Sequence, residues 1–172
     1  MIRFPEHPTG RVTLRPLVQG QLGEVVACYR ETAEFFARVN GDPFVGPLTV
    51  QMQFDAAERD PRRVMLGVFT GDGLAGVLDI GIDPEEKSCM VGLLLIRTPL
   101  QRRGLAREAV GVLEQALAGS PVTRLRAGVE PANEVAIPIW ERLGFKRAGT
   151  FPAQDDLGTH FEATLMEKTI HE

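Results

Sequence analysis

The chain has 172 residues, 44% hydrophobic and 24% charged, with a net charge of −4 at neutral pH. That is one ordinary globular domain, long enough to bury a core. A mildly acidic sum argues against a general nucleic-acid or anionic-membrane binder, and no apolar run approaches the roughly 20 residues that span a bilayer.

In chain order, Val12 to Pro16 alternates as a first strand. Gln21 to Val39 has helical spacing through Leu22, Val25, Val26, Tyr29, Ala33 and Phe36, with a break expected near Glu31-Thr32. Asn40-Gly41-Asp42-Pro43 stops it. A short helix is expected from Thr49, as N-cap, to Arg59. Val64–Thr70, Leu74–Ile82 and Lys87–Arg97 then read as three strands. The turns between them, Gly71-Asp72-Gly73 and Asp83-Pro84-Glu85-Glu86, make these strands an antiparallel meander.

Beyond Pro99 the period becomes helical from Gln101 to Ala118, with an apolar stripe of Leu105, Ala109, Val112, Leu113, Ala116 and Leu117. Thr123 to Val129 alternates as a strand. Asn133 is expected to cap a helix that carries Ala136, Ile139, Trp140 and Leu143 and stops at Gly144. Phe145–Phe151 and His160–Lys168 read as the last strands. A strand, crossover helix and strand in one sheet form a parallel unit. The fold class is therefore α/β: a single domain with a mixed, largely antiparallel sheet of about six to seven strands, flanked by helices.

Cys28 and Cys89 sit in a helical and a strand pattern, outside any metal-ligand spacing, and read as buried hydrophobes. His7, His160 and His171 lie far apart, so no metal site is expected. The first eight residues, Met1 to Pro8, lack a basic-then-apolar signal, which makes a cytoplasmic location the expectation.

The chemistry concentrates at one junction. Val91 to Ile96 runs through Arg97-Thr98-Pro99-Leu100 into Gln101-Arg102-Arg103-Gly104-Leu105-Ala106-Arg107. The first N–H groups of a helix have no internal partners and carry the positive end of its dipole. Gly104 and Ala106 leave the backbone open to a phosphate. Arg97 stands just before the turn, and Arg102, Arg103 and Arg107 can add charge-assisted contacts. Neither a GxxxxGK[ST] loop nor a GxGxxG fingerprint is present. The hexapeptide alone fits a solvated first turn as well as a pyrophosphate cradle.

With its surroundings, the sequence resembles the GNAT N-acetyltransferase superfamily, over about residues 12–168. Gln101 to Ala106 is similar to that family's Q/R-x-x-G-x-G/A signature for acyl-coenzyme A. Asn133 to Phe145 is similar to its N-x-x-A-x-x-aromatic-E-x-x-G-F block. The resemblance implies that Leu94, Leu95 and Ile96 pair with the pantetheine arm of acetyl-coenzyme A. It implies that Gln101, Arg102, Arg103, Gly104, Leu105, Ala106 and Arg107 form the pyrophosphate cradle, Asn133 touches the pantetheine region and Trp140 lies near the sulfur. It also implies direct attack by a neutral primary amine, with oxyanion stabilisation by a strand N–H and no protein nucleophile.

One departure stands out. Many relatives carry Tyr at the position of Trp140, as general acid, and an indole N–H does not titrate usefully. Trp140 is therefore a contact or packing residue. The only tyrosine, Tyr29, lies in the first helix and is expected to pack. For the base, Asp79 interrupts an apolar strand and is the candidate carboxylate, against a solvated outward position; loss of the proton to water is the other route. Asp155, Asp156 and His160 are expected to be exposed. The acceptor is a small-molecule or peptide amine, bordered by about residues 31–49 and 152–159. The alternatives are a non-catalytic acyl-coenzyme A sensor and a structural α/β domain with an incidental turn. A homodimer is left open.

Overall fold

The computed structural model describes residues 2–5, 10–40, 46–154 and 158–171. Seven strands form one sheet. They are β1 (Thr13–Pro16), β2 (Arg63–Thr70), β3 (Gly73–Asp83), β4 (Ser88–Ile96), β5 (Arg124–Val129), β6 (Lys146–Gln154) and β7 (His160–Thr169). Their order is β1-β2-β3-β4-β5-β7-β6. All neighbours are antiparallel except β4 and β5, which are parallel. The crossover between that pair is α4 (Leu105–Leu117). Helices α1 (Leu22–Glu31), α2 (Ala33–Asn40) and α3 (Pro47–Arg59) precede β2, and α5 (Ile137–Arg142) follows β5.

Alternation along the strands divides the apolar side chains between two cores. Leu14, Leu66, Leu78, Ile80, Val91 and Leu125 pack with Leu105, Leu113 and Leu117 of α4. Met65, Phe69, Val77 and Leu95 face the other way and pack with Val25, Tyr29, Phe36, Val50 and Phe54 of α1–α3. Both cysteines are buried, and burial pushes each thiol up to about 12. Neither is an available nucleophile at neutral pH.

The expected break in the first helix falls at Thr32. Its hydroxyl donates to the Cys28 and Tyr29 carbonyls, 3.2 and 3.0 Å away, and takes backbone acceptors that a continuing helix would use. Three expected boundaries move. Helix α3 starts at Pro47, not after Thr49, because proline's fixed φ suits the first helical position. Helix α4 starts at Leu105, not Gln101, because Arg102 and Gly104 have φ of 62° and 80° and cannot be helical. Asn133 is not an α-helix N-cap. It lies inside a 3-10 turn, Pro131–Ala136, with non-helical φ −116° and ψ 30°, and α5 begins after it.

Candidate active site

Strands β4 and β5 pair only from Ser88 with Arg124 to Val91 with Ala127. Beyond Val91 they part. On its other edge, β4 continues along β3, but the register skips one residue: Val91 faces Ile80 and Leu93 faces Asp79. Gly92 is the extra residue of a bulge, which bends a strand and re-aims the residues after it. Leu93 to Ile96 thus present a β5-facing backbone edge with no strand partner among the described residues. The edge is held firmly from both faces of the sheet. Leu95 is buried against the α1–α3 core, while Ile96 and half-buried Leu94 pack into the α4 core.

The turn from β4 into α4 begins where this free edge ends. A short 3-10 turn, Thr98–Leu100, leads into it. The Gln101 amide donates back to the Ile96 carbonyl at 2.8 Å and ties the turn to the strand end. Gly104 stands at the N-cap position of α4 with no capping side chain, and its carbonyl accepts the first helical bond from the Glu108 N–H. The leading amides of α4 are therefore open. A Cβ placed on Gly104 would meet only the tip of Arg11, at 3.4 Å.

Arg11 braces this turn from outside. Its guanidinium donates to the Arg103 carbonyl at 2.7 Å and to Glu108 at 2.8 Å. Of the four arginines at the junction, two are already occupied. Arg97 is paired with Glu31, an ion pair that lowers the carboxyl's pKa, and the Thr98 hydroxyl donates to the Glu31 carbonyl. Arg107 donates to the Arg142 carbonyl at the end of α5. Arg102 and Arg103 are exposed, and neither guanidinium has a partner among the described residues. They are the free cations beside the open amides. Leu105 is buried in the α4 core and Ala106 packs half-buried against it, which fixes the first turn of the helix.

Asn133 lies just past the end of β5, and its side-chain carbonyl accepts from Arg38 of α2 at 3.2 Å. Trp140 is half-buried and edge-on to Phe145, with ring centroids 4.9 Å apart. Tyr29 is fully buried, as a packing residue should be, and its hydroxyl donates to Gln53 at 2.8 Å. Burial raises the Tyr29 pKa. Asp79 pairs in register with Leu93 across the β3–β4 ladder, one strand away from the fork. It is not a solvated outward residue. Its side chain is 13% exposed, and Arg63 holds both carboxylate oxygens, the shortest contact being 2.6 Å. His160 is exposed at the start of β7, while Asp155, Asp156 and His7 fall outside the described residues.

The family model for "Acetyltransferase (GNAT) family" matches residues 25–145, which takes in the fork, the turn and the start of the segment after Gly144. The chain belongs to the GNAT acetyltransferase family. Acyl transfer is the general chemistry of that family. An acetyltransferase from Thermus thermophilus is 27% identical in sequence, with a TM-score of 0.74 over 93% of this chain and 97% of its own. Two more distant structures share the GNAT fold. A GCN5-related N-acetyltransferase from Brucella melitensis is 19% identical, with a TM-score of 0.79 over 99% and 80% of the two chains. A spermidine N-acetyltransferase from Vibrio cholerae, in complex with CoA and spermine, is 16% identical, with a TM-score of 0.70 over 92% and 95%. No curated protein sequence matches the chain.

The motif reading missed three arginines that hold these candidate residues in place. Arg11, Arg38 and Arg63 all act through partners remote in sequence. For Arg63 the turn signal would have misled: a β-bulge at Val68/Phe69 shifts the β2–β3 register by one residue from the one the Gly71-Asp72-Gly73 turn starts, and only the shifted register places Arg63 diagonal to Asp79.

Proposed function

We propose that the domain, about residues 12–168, is a cytoplasmic N-acetyltransferase that moves the acetyl group of acetyl-coenzyme A to a primary amine in a ternary complex. The observation that carries this reading is the continuity of the free β4 edge with the open amides of α4. An extended pantetheine arm with two amides suits the edge of a strand, and a pyrophosphate suits a helix N-terminus flanked by Arg102 and Arg103. The two sites follow each other along the chain in the order in which coenzyme A carries the two groups.

In this reading Leu94, Leu95 and Ile96 supply the strand edge. Gln101 holds the turn, and the amides from Gly104 to Arg107 receive the phosphates. Asn133 contacts the pantetheine region from the β5 side. The neutral amine nitrogen attacks the thioester carbon. The C–N bond forms, the C–S bond breaks and the thiolate leaves, while the nitrogen's extra proton passes to water. A strand N–H donates to the oxygen that gains charge. Positioning two substrates supplies most of the acceleration. The thiolate takes its proton from solvent, since Trp140 can donate a hydrogen bond but does not titrate.

Free-thiol release from acetyl-coenzyme A, followed over a panel of primary amines, tests the reading. At least one amine is expected to raise release well above the rate without acceptor. Tight acetyl-coenzyme A binding without release by any amine would instead identify a non-catalytic sensor. Trp140→Phe is expected to retain turnover within about tenfold, because the ring keeps its edge-on contact with Phe145. A loss beyond about 100-fold, the size of a missing catalytic hydrogen bond, assigns the indole N–H to the chemistry.

A further inference from the structure

The first residue past the last β4–β5 pair is a glycine on both strands, Gly92 and Gly128. Leu125, Ala127 and Val129 of β5 point into the α4 core, so Gly128 lies on the opposite face of the sheet, the face that Leu93 and Leu95 of β4 share. The α4 face of the fork is filled by apolar packing and by the helix that receives the turn. On the opposite face the α1–α3 core covers Leu93 and Leu95 of β4 but includes no residue of β5. At that crotch no side chain rises from either strand.

One ring leans into the open space. Phe151 belongs to the edge strand β6, where it pairs with Ala163 of β7. Ala163 is diagonal to Gly128 across the β5–β7 ladder, since Gly128 pairs with Leu165. Glycine and alanine in those two places form a shallow berth, and the Phe151 ring occupies it. A Cβ built on Gly128 would stand 2.7 Å from Phe151 Cζ and 3.2 Å from its Cε1, with Ala163 Cβ at 3.9 Å. Any side chain at 128 expels the ring.

We propose that Gly128 and Phe151 form the far wall of the acceptor site and select amines by the bulk beside the nitrogen. This rests on the transferase reading above. The ring stands over the first β5 residue beyond the crotch, so an amine reaching the fork passes its edge. A nitrogen on a methylene passes, with its carbon chain along the ring. A nitrogen on a branched carbon, as in the α-amine of an amino acid or a peptide N-terminus, meets the ring. The acceptor class is therefore an unhindered ω-amine.

The test compares kcat/KM for butylamine and sec-butylamine, with acetyl-coenzyme A as donor and its Kd measured by calorimetry. The wild type is expected to favour butylamine by at least about tenfold, the scale of discrimination from one misplaced methyl or methylene in a fitted pocket. Phe151→Ala and Phe151→Leu are each expected to reduce that preference several-fold while the Kd for acetyl-coenzyme A stays within about twofold. Gly128→Ala is expected to shift the preference in the same direction, because it displaces the ring. The double variant Gly128→Ala/Phe151→Ala should match Phe151→Ala alone, since the clash needs the ring. An unchanged preference in both Phe151 variants, with normal wild-type turnover, overturns the wall and leaves the transferase standing. Absence of wild-type turnover with every amine overturns both.

Discussion

Gly104→Glu is expected to weaken acetyl-coenzyme A binding by at least about 100-fold, near 3 kcal/mol, with the fold retained. Two effects combine. Gly104 sits at φ 80°, and any other L-residue there carries about 1–2 kcal/mol of strain. The larger effect is electrostatic. The new carboxylate stands at the N-terminus of α4, where its open amides favour an anion. It therefore competes for the groups that would receive the phosphates and repels a polyanionic ligand. Space does not prevent it, since only the Arg11 tip lies within 4 Å of the new Cβ. Gly104→Ala separates the causes, because it brings the strain without the charge. Calorimetric titration of both variants, with thermal melts to confirm folding, checks the prediction. Wild-type affinity in Gly104→Glu would falsify the placement of the phosphates at this turn.

The α4 junction also shows where a sequence reading succeeds and where it stops. The order strand, turn, helix, parallel strand was legible from Val91 to Val129, because apolar period and turn residues are local properties. So was the break after α1, which a single threonine marks. The start of α4 was not. Gln101, Arg102 and Arg103 are good helix formers by propensity, yet Arg102 takes φ 62° here. The turn is held by Gln101 reaching back to Ile96 and by Arg11 reaching across to Arg103, and neither contact leaves a trace in local spacing. Asn133 is a similar case. An asparagine before an apolar period reads as a cap, but Pro131 starts a 3-10 turn first and Arg38 engages the side-chain carbonyl. The β4–β5 fork was implied by resemblance alone. Its physical basis, the Gly92 bulge, depends on register against β3.

Asp79→Asn is expected to cost about 2 kcal/mol of stability, less than a fully buried broken pair because Arg63 keeps partial contact with water. At this chain length that is roughly a 4–8 °C fall in Tm. Asp79 now faces Arg63 through both oxygens, with its side chain 13% exposed. The hydrogen bond to Asp79 raises the pKa of Arg63, so the guanidinium stays charged at any working pH. The amide of the variant turns a donor toward that cation and leaves its charge without a counter-ion. The double variant Arg63→Met/Asp79→Leu, which removes both charges, should recover most of the loss. Kinetics decide a separate question, because Asp79 also faces Leu93, the first residue of the free β4 edge. Both Asp79 oxygens already accept N–H groups of Arg63. Turnover at a permissive temperature should therefore fall less than about tenfold, below the usual range for losing a general base. The acidic limb of the pH–rate profile should also persist, as deprotonation of the substrate ammonium by water requires. Disappearance of that limb in Asp79→Asn, at unchanged acetyl-coenzyme A affinity, would make Asp79 the base and Arg63 the residue that positions it.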